Sequence, residues 1–297
     1  MTVQEAYKHT QVQLYEVYDK REATNIADQV ITFITGYSRT DRLVHGGNPL
    51  THAQANQLTL FTLQLLQHVP LQYVLQEAWF AAMPFFVNEN VLIPRPETEE
   101  LVEWVAQEAG SLKTAPVAEK TTTGGSPAII DIGTGSGCIP VALKKKMPAA
   151  VVHALDVSPD ALAVARRNAA NLGAPVTFHE ADILQPENWR QLPVFDIIVS
   201  NPPYIKESEK TGMHENVLGH EPHLALFVPD SDALLFYRTI AAFAKQHLRP
   251  GGLLFFEINE ALGQETADLL TAQGFVAVEL RKDMQGKDRM IKAVLPA

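Results

Sequence analysis

The 297-residue sequence has one cysteine, Cys138. That scarcity excludes an internal disulfide framework and any zinc site built on several thiolates. No apolar run approaches the ~20 residues of a membrane-crossing helix. The first residues, MTVQEAYKHT, lack the basic-then-apolar pattern of an export signal. Together these two absences predict a cytoplasmic protein that engages no membrane. Positive charge is also short: 24 Lys and Arg stand against 34 Asp and Glu, a formal net charge of -10. Proteins whose main work is nucleic-acid binding neutralise phosphates with a basic stripe. The one local cluster here, Lys144-Lys145-Lys146, reads as the solvated end of a helix. A protein or small-molecule partner is therefore expected, and no stable nucleic-acid complex.

Two residue groups that invite chemistry read more simply as structure. Cys138 follows a glycine-rich loop with no basic neighbour in sequence to lower its pKa, so a small buried residue is expected rather than a nucleophile. His220-Glu221-Pro222-His223 offers two imidazoles and a carboxylate. Pro222 spoils a helical presentation and no further ligand is evident, so no metal is expected.

What is present is the balance of a globular chain, with 46% apolar and 20% charged residues. The length suits a small domain followed by a larger one. Residues 1 to about 75 carry apolar positions at helical spacing: Val12, Leu14, Val17 and Tyr18, then Ile26, Val30, Ile31 and Ile34. Gly36 ends the second stretch, Asn48-Pro49 breaks the chain, and Thr51 caps a third stretch carrying Leu58, Leu60, Phe61, Leu63, Leu65 and Leu66. A small helical bundle over 1–75 is predicted. Alternation in Phe86 to Ile93 suggests a β-hairpin within a 76–95 linker. After a helix around Glu97 to Ala109, residues 111–128 are polar and rich in Thr, Gly, Pro and Ala, and read as a flexible surface loop with no chemistry.

From Ala128 strands and helices alternate. Seven strands are expected, at 128–132, 151–156, 176–179, 195–200, 253–258, 275–280 and 290–294. One intervening helix has clear punctuation: Ser158 at the N-cap, Pro159 next and Gly173 as terminator. Alternating βα units predict an α/β domain over 96–297 with a doubly wound, mostly parallel sheet.

The first strand runs into Gly133-Thr134-Gly135-Ser136-Gly137, where glycines at alternate positions permit a tight turn and close approach to a ligand. Asp156 follows about twenty residues later, the usual place of a carboxylate that grips ribose hydroxyls. Dinucleotide binders carry G-x-G-x-x-G for their pyrophosphate. The G-x-G-x-G spacing here favours S-adenosylmethionine, a nucleoside cofactor without phosphates. At the end of the fourth strand comes Asn201-Pro202-Pro203-Tyr204. Two prolines stiffen the backbone and remove two N–H donors, leaving a rim rich in acceptors. The Asn201 side-chain oxygen and the Pro202 carbonyl suit the two N–H bonds of a planar NH₂, whose growing positive charge they would stabilise. Tyr204 offers a flat wall for stacking. An amide and an exocyclic base amine fit this geometry equally.

DIGTGSG, Asp156 and SNPPY, in that order, resemble the class I methyltransferases that modify exocyclic or amide nitrogens. Within them the chain is similar to the HemK-type peptide-chain release factor glutamine methyltransferases. Pro70-Leu71-Gln72-Tyr73, the Val91 to Glu99 block, Glu221-Pro222 and Asp283 to Arg289 add to the likeness. The resemblance implies a Rossmann-like domain and a helical N-terminal domain that docks the release factor. It implies methyl transfer to the side-chain nitrogen (N5) of glutamine in a Gly-Gly-Gln tripeptide; a monomer is expected. Gly133 to Gly137, Asp156, Asp182, Ile183 and Asn201 would line the cofactor site, and Asn201, Pro202, Pro203 and Tyr204 would receive the glutamine. Pro94 and Arg95 would border the substrate crevice, with Arg95 positioning its loop. Adenine-N6 methylation is the competing activity, for which the expected basic surface is missing. Gln76 and Val228-Pro229 stand where the family favours glycines.

Overall fold

The computed structural model describes residues 1–112 and 126–297, so most of the 111–128 segment lies outside the described residues. Two compact units divide the chain: Met1–Glu77 with Met213–His220, and Ala78–Gly212 with Glu221–Ala297.

The first unit opens with five helices: α1 (Val3–Leu14), α2 (Lys20–Thr35), α3 (Arg39–His45), α4 (His52–Leu66) and α5 (Leu71–Leu75). Local chemistry sets their starts. Thr2 with Glu5, Ser38 with Asp41 and Thr51 with Gln54 form capping boxes that satisfy orphan N–H groups reciprocally. Gly36 closes α2 in the left-handed conformation, φ 71°. Val3, Leu14, Ile26, Val30, Ile31, Leu58 and Leu65 make the core.

Three expectations change here. The apolar pattern misses α3, because its one buried residue is Arg42, which is ion-paired to Asp28, while Leu43 and Val44 face solvent. Val12, Leu60 and Leu63 are exposed rather than core. Val17 and Tyr18 lie beyond the end of α1.

Gln76 takes φ 55° at the end of α5. A glycine serves that left-handed cap without a Cβ penalty, which gives the departure at this position a physical meaning.

The second unit begins with a hairpin, β1 (Ala78–Phe80) and β2 (Met83–Phe85), followed by α6 (Pro96–Leu112). The hairpin therefore precedes the 86–93 segment in which alternation suggested it. Its turn, Ala81-Ala82, has φ 49° and 59°, a geometry that usually advertises itself with Asn-Gly. Alanine gave no such signal.

The sheet elements follow in order: β3 (Ala128–Ile132), α7 (Cys138–Lys146), β4 (Val151–Asp156), α8 (Pro159–Asn171), β5 (Thr177–Glu180) and β6 (Phe195–Ser200). A short pair comes next, β7 (Ile205–Lys206) and β8 (Phe227–Val228), with α9 (Glu215–His220) between them grouped with the first unit. Then come α10 (Leu235–His247), β9 (Leu248–Glu257), α11 (Gly263–Ala272), β10 (Val276–Lys282) and β11 (Asp288–Val294).

Seven strands form one sheet in the order β10-β11-β9-β6-β3-β4-β5, and only β11 runs against the rest. Both faces are covered, as the nearly continuous apolar strands require. Phe255 and Phe256 show the alternation directly. Phe255 packs edge-on against Trp104 of α6 at 5.4 Å, whereas Phe256 meets Tyr237 of α10 at 5.3 Å in the other core layer.

Candidate active site

The site grows from the point where strand order reverses. β3 pairs with β4 on one side and β6 on the other, and Ile132 sits opposite Ser200. The chain leaves these adjacent strands side by side, into the glycine loop from β3 and into Asn201 from β6. Doubly wound sheets bind ligands at such a switch point.

The three loop glycines all take left-handed φ: 72° at Gly133, 51° at Gly135 and 79° at Gly137. They do different work. A Cβ on Gly133 or Gly135 would meet nothing within 4 Å, because both face open cavity. A Cβ on Gly137 would press on Ala165 of α8 at 3.0 Å. Gly137 therefore serves helix packing, the task that a later glycine performs in dinucleotide loops.

Asn168 of α8, 1% exposed, braces the loop from behind. Its Nδ2 donates to the Ser136 and Phe86 carbonyls and its Oδ1 accepts from Phe86 N–H. Sequence reading missed it.

Three carboxylates surround the loop. Asp156 ends β4 and accepts from the backbone N–H of Gly135 (2.8 Å) and of Ser158 (2.9 Å). Each oxygen keeps a further lone pair for a ligand hydroxyl. Burial raises its carboxyl above the usual range, and the backbone donors oppose that. Asp182 accepts from Leu184 N–H at 2.9 Å.

Asp131 is the third, absent from the sequence-level expectations. It is fully buried at the end of β3, and neither of its carboxylate oxygens has a hydrogen-bond partner. Burial pushes it up to about 7, the buried Thr134 hydroxyl relieves part of the rise, and Asp156 adds to it. Cys138 is likewise buried and pushed up to about 12, a protonated thiol unsuited to attack.

A cavity of about 250 Å³ lies against the loop. A single water needs only ~15 Å³, so the space suits an organic ligand. Gly133, Gly135, Asp156, Asp182, Ile183, Asn201 and Pro203 all line it, together with Asn90, Leu92, Val157, Leu224 and Phe236. Thr134, Ser136 and Gly137 belong to the loop but not to the cavity wall. Neither do Pro94, Arg95, Pro202 or Tyr204.

Arg95 instead donates to Glu221 at 2.6 Å. Glu221, its side chain 1% exposed, also accepts from Ile93 N–H, clasping residues 93–95 to the segment that begins at Pro222.

Asn201 donates through Nδ2 to Thr98 Oγ1 at 3.2 Å, and Thr98 donates to Glu257 Oε2 at 2.6 Å. Tyr204 turns its hydroxyl inward and donates to Glu257 Oε1 at 3.2 Å. Glu257 is 2% exposed. Burial raises its carboxyl, while Thr98, Arg289 and Tyr204 counter the rise and Glu97 adds to it. The Tyr204 phenol is pushed well up, by burial first and Glu257 next.

Comparison with known proteins gives the class and then the family. Residues 115–223 match the Methyltransferase small domain, so the larger unit is a methyltransferase of the doubly wound, Rossmann-like kind. The hMettl16 catalytic domain, solved in complex with MAT2A 3'UTR hairpin 6, has the same fold (TM-score 0.54, 16% identity, 83% of this chain and 82% of that one).

Residues 5–75 match the PrmC N-terminal domain. The release factor glutamine methyltransferase of Flavobacterium psychrophilum is 46% identical, over 94% of each chain. That of Bacteroides thetaiotaomicron is 40% identical, over 94% of this chain and 95% of its own. The chain belongs to the release factor glutamine methyltransferase family.

Its methyl donor is S-adenosylmethionine, and the cavity fits it. The wall carries carboxylates and no Lys, Arg or His among the described residues, which suits a cationic nucleoside and not a pyrophosphate. No helix of the described residues is long and apolar enough to cross a membrane.

Proposed function

We propose that this protein methylates the side-chain amide nitrogen of the glutamine in the Gly-Gly-Gln motif of class I peptide chain release factors. One observation carries the reading. The Asn201 nitrogen is engaged by Thr98, which leaves Oδ1 as an acceptor on the wall shared with Gly133 and Gly135. An acceptor is what an amide NH₂ requires, because its lone pair is delocalised and its N–H bonds are the handles by which it can be turned.

In this reading Gly133 to Gly137, Asp182 and Ile183 hold the cofactor and Asp156 takes the ribose hydroxyls. When bound, S-adenosylmethionine supplies an electrophilic methyl group. Asn201 Oδ1 and the Pro202 carbonyl grip the two N–H bonds and stabilise the positive charge that grows on nitrogen. Holding the nitrogen in line contributes the proximity gain. Pro203 forms the wall beside the target and Tyr204 stiffens the tetrapeptide. Pro94 and Arg95 shape the rim. Water takes the product's proton, since an alkylated amide nitrogen is strongly acidic before it loses one.

Residues 1–75 dock the release factor, 76–95 link the domains and 96–297 carry out the transfer, as a monomer in the cytoplasm with no stable nucleic-acid partner. The names of the relatives support the release-factor substrate. Incubation with S-adenosylmethionine and a release factor, followed by mass spectrometry, tests it. A single added methyl on the Gly-Gly-Gln glutamine, formed much more slowly but still measurably in Asn201→Ala, is expected. Methyl incorporation into nucleic acid alone overturns it.

A further inference from the structure

Asn201 accepts from a planar NH₂ only if the oxygen end of its carboxamide faces the cavity. The two ends of a carboxamide are nearly the same shape, so packing does not choose between them. Something polar must choose, and the choice leads away from the cavity.

Thr98 lies in the first turn of α6, 2% exposed. A hydroxyl has one hydrogen, and that of Thr98 goes to Glu257 Oε2 at 2.6 Å. With its hydrogen committed, Thr98 Oγ1 can only accept from Asn201, so the Asn201 nitrogen faces it and Oδ1 is left outward. The sense of the whole chain is set by its last member. Both hydroxyls that reach the buried Glu257 carboxyl, Thr98 and Tyr204, give it their hydrogens.

Glu257, at the end of β9, takes a second donor from Tyr204, and the Tyr204 carbonyl in turn accepts from Asn259 Nδ2 at 3.2 Å. Both ends of the tetrapeptide thus refer back to one buried carboxylate.

We propose that Glu257 is a positioning residue: through Thr98 it fixes the Asn201 carboxamide oxygen-outward, and through Tyr204 it anchors the other end of Asn201-Pro202-Pro203-Tyr204. The role rests on the function proposed above and adds to it the cause of the amide's orientation. A carboxamide in place of Glu257 has hydrogens of its own. It can donate to Thr98, whose hydroxyl then turns to Asn201 Oδ1 and inverts the acceptor.

The test is steady-state methylation of a release factor by the full chain carrying Glu257→Gln, Thr98→Val or Thr98→Ser, each with and without Asn201→Ala. Cofactor affinity is measured in parallel by titration calorimetry. The orienting bond is a short, buried one, so Glu257→Gln and Thr98→Val should lower kcat at least about tenfold, with KM and cofactor Kd within about twofold. Thr98→Ser, which keeps the hydroxyl, should restore most of the rate. In the Asn201→Ala background Thr98→Val should not lower kcat further, because the group it orients is gone, whereas Glu257→Gln should keep only the part of its loss that runs through Tyr204.

Wild-type kcat in Thr98→Val overturns the proposal, as do equal losses in both backgrounds. If Glu257→Gln does not fold, the Val and Ser variants of Thr98 decide alone. An inactive wild-type protein would instead overturn the proposed function itself.

Discussion

Asp131 places a buried acid beside the glycine loop. Its carboxyl is pushed from an ordinary 3.8 up to about 7 by burial, which the Thr134 hydroxyl only partly offsets and Asp156 reinforces. At 1.36 kcal/mol for each tenfold change in proton affinity, that rise makes the ionised form about 4 kcal/mol less favourable in the folded protein. The sign follows from a folded pKa above the unfolded one. The group's contribution to stability is intact below pH ~4 and is lost as pH rises through ~7.

Replacing Asp131 by Asn removes the titration but keeps the shape. The melting temperature of Asp131→Asn minus that of wild type should therefore grow between pH 5 and pH 8. For a unit of this size 1 kcal/mol moves the midpoint by roughly 2–4 °C, so several degrees are expected and about 16 °C is the ceiling. Scanning calorimetry without ligand at four or five pH values reads it, and taking the difference cancels the titration of the histidines. S-adenosylmethionine, being cationic, should narrow the gap at pH 8 by favouring the ionised carboxylate. Parallel melting curves for variant and wild type across this range would refute the account of Asp131 as an acid raised by burial.

Three further outcomes follow from contacts already described. Gly137→Ala places a Cβ 3.0 Å from Ala165 at a φ of 79°. It should cost about 1–3 kcal/mol in urea unfolding and weaken cofactor binding as the loop shifts. Gln76→Gly relieves a left-handed glutamine at the end of α5 and should stabilise the protein by up to about 1 kcal/mol in the same assay. Arg95→Ala strands the buried Glu221 carboxylate. Arg95 is one-third exposed, so a loss of about 2 kcal/mol is expected, with a lower kcat/KM recovered in part when Glu221→Gln is added.

The sequence by itself determined whatever is imposed on the backbone locally. The glycine spacing at 133–137, the two prolines after Asn201, the capping boxes and the punctuation of α8 act within a few residues. Their consequences were legible without a fold. Continuous apolar runs announced the buried strands, and the strand–loop order placed the glycine loop and the tetrapeptide at the same end of the sheet.

The tertiary structure decided what joins residues far apart in the chain. Thr98, Asn201 and Glu257 lie on three separate elements. Asn168 braces a loop 32 residues away. Asp131 is buried only because the sheet and loop close over it. The hairpin turn at Ala81-Ala82 and the left-handed Gln76 escaped for the converse reason, since packing holds them in conformations their own side chains do not favour. Local patterning records which face of an element is apolar. It does not record which end of the Asn201 amide points outward, because that is settled by one hydroxyl hydrogen whose acceptor arrives from the end of another strand.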